Sequence, residues 1–179
     1  MEDRWLTLRA DRCETADGVF LDPYYVVETN DWVHIVAFDE HDRVVLVRQY
    51  RHGVQEICLE IPAGIVESDD SSVELAARRE LLEETGYTAE TFIDLGTLQP
   101  NSARQTNRFH TFLALGARKT HEPRPDPCER IIAEAVPVAD LVARIQEGHF
   151  VQAIHISSIF LALLHRGLCT MQTSSNSAD

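Results

Sequence analysis

The run Arg79-Glu80-Leu81-Leu82-Glu83-Glu84-Thr85-Gly86-Tyr87 holds the densest chemistry in the sequence. At about 100° per residue on a helical wheel with Glu80 at zero, Glu84 falls near +40° and Glu83 near −60°, so three carboxylates share one edge. Like charges at these spacings repel by roughly a few tenths of a kcal/mol per pair, and only Arg79, four residues before Glu83, is placed to offset them. Hard oxygen ligands on one rigid element suit Mg²⁺ or Mn²⁺, which keep coordination positions for water and phosphate. Alone, E-x-x-E-E is more often a solvated helix face. The flanks change that reading. Glu60-Ile61-Pro62-Ala63-Gly64 ends a strand and feeds a loop toward the acidic helix. Gly64 lacks a Cβ and tolerates positive φ, so backbone there can approach a ligand closely, with the Ala63 carbonyl facing the same cation.

The elements that must position this cluster are legible from patterning. Ser71 to Thr85 reads as a helix, opened by a Ser71/Glu74 capping box and ended by Gly86. Leu75 and Leu82 lie opposite the acidic edge and are expected to enter the core, while Ala76 and Ala77 leave that edge uncrowded. Asp17-Gly18 reads as the turn of an N-terminal strand pair, the second strand running through Phe20 and Tyr24 to Glu28. Trp32–Phe38 and Val44–Gln49 read as a hairpin, and Ile57–Ile61 as a further strand. Phe92–Leu98, Phe109–Leu115 and Ile131–Val136 continue the strands, and Val138–Glu147 and Ala153–His165 close the chain as helices. Strand runs with segregated helices indicate an α+β fold. Thr170 to Asp179, rich in Ser and Thr, is expected to be disordered.

Composition narrows the function. The chain has 179 residues, 16 Lys plus Arg against 29 Asp plus Glu, and a formal net charge of −13. That balance argues against sequence-independent nucleic-acid binding, which needs basic residues to displace counterions. An anionic substrate would need a divalent cation as intermediary. No apolar run is long enough for a membrane helix, and Met1 to Ala10 has no signal-peptide core. Cys13, Cys58, Cys128 and Cys169 form no C-x-x-C pair, which excludes a zinc ribbon and fits a reduced cytoplasmic setting. The His residues have no metal-ligand spacing and read as packing or surface residues. Arg48, Arg51 and Arg104 are candidate phosphate forks. Phe20, Tyr24 or Trp32 could stack on a planar ring of a ligand, although strand aromatics are more often core.

Together these residues resemble the signature of the Nudix hydrolase family, G-x5-E-x7-R-E-U-x-E-E-x-G-U, where U is bulky and apolar. Gly64 opens the pattern and Arg79 to Tyr87 match its whole second half. The resemblance implies a mixed β-sheet sandwiched between helices, with an N-terminal antiparallel strand extension over 1–30, a Nudix domain over 31–169 and a tail over 170–179. It implies that Glu80, Glu83 and Glu84, with Ala63, bind Mg²⁺ or Mn²⁺, that Arg79 orients a glutamate, and that Glu83 and Arg79 serve catalysis. One departure matters. Six residues on from Gly64 is Asp70, and eight back from Arg79 is Ser71, so the segment is one residue longer than the pattern. We read an insertion just before Ser71, with Asp70 standing in for the family's Glu.

The stretches Tyr24 to Glu28, Val44 to Arg51, Leu59 to Gly64 and His110 to Ala114 resemble the ADP-ribose pyrophosphatase branch. That resemblance implies cleavage of ADP-ribose to AMP and ribose 5-phosphate by a homodimer whose N-terminal strands serve the interface and the site. It also implies a general base on a loop late in the sheet. Glu129 is the first candidate, with Glu122 and Glu134 as alternatives. GDP-mannose, coenzyme A and dinucleoside polyphosphates remain alternative substrates, and a non-catalytic nucleotide-binding module is the alternative of another class. NADH-cleaving relatives carry a zinc ribbon that these cysteines cannot build.

Overall fold

The computed structural model describes residues 1–126 and 128–169, so the expected disorder of 170–179 lies outside the described residues. The chain begins with an antiparallel pair, β1 (Thr7–Glu14) and β2 (Phe20–Glu28), turning through Gly18 at φ 84°. A mixed sheet follows, built on β3 (Trp32–Asp39), β4 (Arg43–Arg51), β9 (Phe109–Lys119) and β10 (Ile131–Pro137) in the order β10-β4-β3-β9. Strands β5 (Glu56–Glu60), β6 (Ala63–Ile65), β7 (Tyr87–Thr88) and β8 (Thr91–Leu98) attach to it.

Helix α1 (Val73–Thr85) packs on one face, through Ala76, Ala77 and Leu81 against Val33, Ile35, Ala37 and Val45. Helices α2 (Val138–Gln146) and α3 (Ala153–His165) cover the other, through Leu141 and Ile159 against Val36, Phe38 and Leu46. Alternate residues of β3 and β4 therefore feed opposite cores, as period-2 geometry requires. The α+β sandwich expected from the sequence is the architecture observed.

Three local differences shape the site. The expected β3–β4 hairpin is splayed, with the two strands registered in antiparallel only at Phe38↔Val44. Beyond that point β5 pairs with β4 and β6 with β3, opening a gap in the sheet. Gly64 accordingly lies in a short strand opposite Val33 and not in a loop. The second difference is the helix cap. Ser72, not Ser71, accepts the Leu75 N–H at 3.2 Å, so α1 starts one residue later and the expected capping box with Glu74 does not form.

The third difference is rotational. Leu75 is 49% exposed, whereas Ala76, Ala77, Leu81, Glu84 and Thr85 are buried. Helix α1 turns Leu75 outward, leaves Leu82 half-buried and carries Glu84 inward. Two small alanines let the helix axis approach the sheet, and that approach carries Glu84 into the interior beside β6. The helix ends at Gly86, in the left-handed region at φ 75°, where a Cβ would collide with the His121 carbonyl.

Candidate active site

A cavity of about 640 Å³ opens where β3 and β4 part. Its wall includes Ala63 and Gly64 of β6, the α1 residues Arg79, Glu80, Glu83 and Glu84, and Glu129 from the loop before β10. Trp32 and His34, two apart on β3, reach it from one face of that strand, and Arg51 reaches it from the end of β4. The volume lies within the roughly 300–1,000 Å³ typical of small-molecule sites.

Close packing fixes the carboxylates. A Cβ built at Gly64 would overlap the carboxyl carbon and both oxygens of Glu80. Gly64 is absent from the positive-φ glycines, so its role is steric room for Glu80 and not unusual backbone conformation. Glu84 is 4% exposed and accepts the Ala63 N–H at 3.0 Å. Burial pushes the Glu84 carboxyl well above its ordinary range, the Ala63 N–H opposes that shift, and the Glu80 and Glu129 charges add to it. Burial likewise pushes Glu80 up to about 7 against the opposing charge of Arg79.

Arg79 is the hub of the acidic edge. It donates to Asp70 through Nη2 at 2.8 Å and Nε at 3.2 Å, and to the Ile65 carbonyl at 3.0 Å. Its Nη1 reaches Glu80 at 2.8 Å and Glu83 at 3.2 Å. Asp70 thus takes a two-pronged grip on the guanidinium from the position where the extra residue precedes the helix. That hydrogen-bonded grip lowers the Asp70 pKa, and the same contact raises that of Arg79.

Among the described residues no three His, Cys, Asp or Glu side chains enclose a metal in this arrangement. Glu80 and Glu83 are both drawn onto Arg79. The donor chemistry nevertheless fits a hard divalent cation. Buried Glu84 and half-buried Glu80 are both held toward protonation by desolvation, a condition that a cation relieves. Glu80, Glu83, Glu84 and the Ala63 carbonyl would hold it.

Of the three loop glutamates considered from the sequence, Glu129 alone lines the cavity, and it accepts from Gln49 Nε2 at 3.2 Å. Glu122 is exposed beside Lys119, and Glu134 is tied to Arg144 at 2.8 Å and Arg48 at 3.0 Å. Among the arginines Arg51 reaches the cavity, while Arg48 and Arg104 do not. Arg48 points to Glu134 on the β4–β10 surface, and Arg104 lies over the Tyr24 ring. Phe20 is half exposed under Arg12, so Trp32 is the one aromatic of the expected three that lines the site.

Sequence reasoning missed Arg4, Trp5, Asn30, His34, Gln152 and His155, which also line the cavity. His34 was detectable, because strand alternation places it beside Trp32. Arg4 and Trp5 precede the first strand, where no periodicity marks a site. His34 and His155 stack at 4.7 Å with an interplanar angle of 11°. Burial drives both below the ordinary imidazole range, His155 to about 3.

Residues 29–154 match the NUDIX domain family, and residues 1–27 match the nucleoside diphosphate sugar hydrolase N-terminal domain. The chain belongs to the Nudix family. Among its relatives, an ADP-ribose pyrophosphatase of Mycobacterium tuberculosis is 31% identical over 135 residues, 75% of this chain and 65% of that protein. An ADP-sugar pyrophosphatase of Mus musculus is 34% identical over 134 residues, 70% of this chain and 61% of that protein. The chain thus spans just under two thirds of the length of these curated relatives. A solved structure described as an ADP compounds hydrolase superposes with a TM-score of 0.82 at 25% identity, covering 94% of this Nudix chain and 92% of that one.

Proposed function

We propose that this chain hydrolyses the pyrophosphate bond of a nucleoside diphosphate sugar, ADP-ribose to AMP and ribose 5-phosphate, with Mg²⁺ or Mn²⁺. The observation that carries the reading is the convergence of buried Glu84, half-buried Glu80, Glu129 and Arg51 on one cavity of about 640 Å³. When bound, divalent cations neutralise charge on the phosphoryl oxygens and supply a water of lowered pKa. The chain's own residues do the remainder. Glu129 accepts the proton of the attacking water, Arg51 grips the diphosphate, and Gly64 leaves room for Glu80 to face it. Arg79 holds Glu80 and Glu83 in place. The names of the relatives and the N-terminal domain match support a nucleoside diphosphate sugar as substrate.

Two further assignments belong to this proposal. The chain acts as a homodimer through its N-terminal strands, a reading supported by exposed Val19, Phe20, Leu21 and Tyr25 on and beside β2. It works in the cytoplasm, supported by four cysteines that are all free. No helix among the described residues is long and apolar enough to cross a membrane.

A side-by-side panel tests the function: ADP-ribose, GDP-mannose, NADH, coenzyme A and diadenosine polyphosphates, each with Mg²⁺ and Mn²⁺. The proposal requires AMP release from ADP-ribose to exceed the others by about tenfold, ~1.4 kcal/mol of discrimination. It also requires Glu129→Gln to lower kcat by roughly 10²–10⁴, the range of general-base catalysis. Tight nucleotide binding without turnover in either metal would contradict it.

A further inference from the structure

Glu60, at the end of β5, lines no part of the cavity yet touches three residues that do. It is 1% exposed. Its Oε1 accepts from Arg51 Nε at 2.9 Å and from Gln152 Nε2 at 2.8 Å. Its Oε2 accepts from Arg51 Nη2 at 2.5 Å and lies 3.7 Å from His155 Nε2. The partners come from β4 and from α3 with its N-cap residue, so one carboxylate on β5 ties β4 to α3 behind the wall.

A buried ion pair is no better for stability than apolar packing of the same volume, so its place behind a cavity wall is the informative feature. Arg51 spends Nε and Nη2 on Glu60, and among the described residues it makes no hydrogen bond through Nη1. The guanidinium is planar, so a two-point grip on one edge fixes the direction of the remaining nitrogen. Gln152 Nε2 shares Oε1 with Arg51 Nε and gives the same carboxylate a further anchor.

We propose that Glu60 is a positioning residue that fixes the Arg51 guanidinium, through this two-point contact, so that its free nitrogen meets the substrate's diphosphate. The inference rests on the pyrophosphatase reading above and extends it to a residue outside the cavity and the acidic helix. It predicts a defect in substrate binding, because the aim of Arg51 is lost while the carboxylates and Glu129 are untouched.

The test is a double-mutant cycle on the full chain, with ADP-ribose and saturating Mg²⁺, over wild type, Glu60→Gln, Arg51→Ala and the double variant. Glu60→Gln is expected to raise KM about tenfold with kcat changed less than about threefold, the mark of lost binding. The double variant should be no worse than Arg51→Ala, because Glu60 has nothing left to aim. Multiplying effects would overturn the proposal, as would an unchanged KM in Glu60→Gln. Should Glu60→Gln not fold, Glu60→Asp decides, since aspartate keeps the charge but falls one methylene short of the two-point contact with Arg51. A raised KM with kcat held supports the positioning role, and a wild-type KM refutes it. Absence of turnover in the wild-type chain would be failure of the proposed function instead. The same cycle is then read as ADP-ribose affinity by calorimetry, where multiplying effects again overturn the role of Glu60.

Discussion

Replacing Gly64 with alanine should disable the site while leaving the fold standing. The added methyl overlaps all three terminal heavy atoms of Glu80, and ordinary contact between such atoms needs ~3.5 Å, so the carboxylate must retreat by more than ~1 Å. The backbone at this position does not use positive φ, so alanine adds no conformational strain. The obstructing atoms are the end of a flexible side chain, which can swing aside at small cost to stability. Function is less forgiving, because a displacement of about 1 Å in a catalytic constellation costs about 10²-fold in rate. The variant should therefore keep a melting temperature within a few degrees of wild type, by the order of ~1 kcal/mol that a single small adjustment allows. AMP release at saturating ADP-ribose, followed across a Mg²⁺ titration, should fall about a hundredfold with a weakened metal dependence. Wild-type turnover in Gly64→Ala would refute the argument that this glycine exists to admit Glu80. Cooperative unfolding at a much lower temperature would refute the claim that Glu80 can yield.

Asp70→Asn keeps the shape of the fork to Arg79 but removes its charge, freeing Arg79 to compete for Glu80 and Glu83. Apparent Mg²⁺ affinity should drop about 10–100-fold, the usual cost of losing a residue that orients metal ligands, and an unchanged affinity would show that Asp70 does not restrain Arg79. Acid stability should depend on His155, whose folded pKa of about 3 lies below the unfolded value of 6.5. Between those values the unfolded chain takes up a proton that the folded chain refuses, so stability falls with pH below 6.5, by up to ~1.4 kcal/mol per unit. His155→Phe should flatten the dependence of melting temperature on pH between 6.5 and about 4, and identical slopes for the two proteins would refute the assignment. The homodimer predicts twice the chain mass by light scattering and a shift toward monomer in Phe20→Glu, whose side chain is half exposed on β2.

Much of the architecture was legible because it rests on strong local signals. The apolar runs of β3 and β4, the stretch of α1 between a serine pair and Gly86, and the two closing helices each stand out in the chain itself. What escaped depends on neighbours distant in sequence. Strand β6 has three residues, Ala63–Ile65, too few for any pattern, and exists because β3 offers it an edge after parting from β4. The facing of α1 was misjudged at Leu75, which looks like a core residue, whereas two alanines and the approach to the sheet bury Glu84. Within the site, Glu80, Glu83, Glu84 and Arg79 share one helix, so their spacing announces them. Glu60 and Gln152 are 92 positions apart and meet only through the fold. A glutamate near the end of an apolar strand carries no outward mark of what it will touch.

Whether the inward acidic edge of α1 gathers divalent cation against a diphosphate is decided by crystals grown with ADP-ribose and Mn²⁺ and measured at the manganese absorption edge. Anomalous density is expected within bonding distance of Glu80, Glu83 or Glu84 oxygens and of a substrate phosphate. Bound nucleotide in the cavity with no anomalous density beside those carboxylates would contradict it.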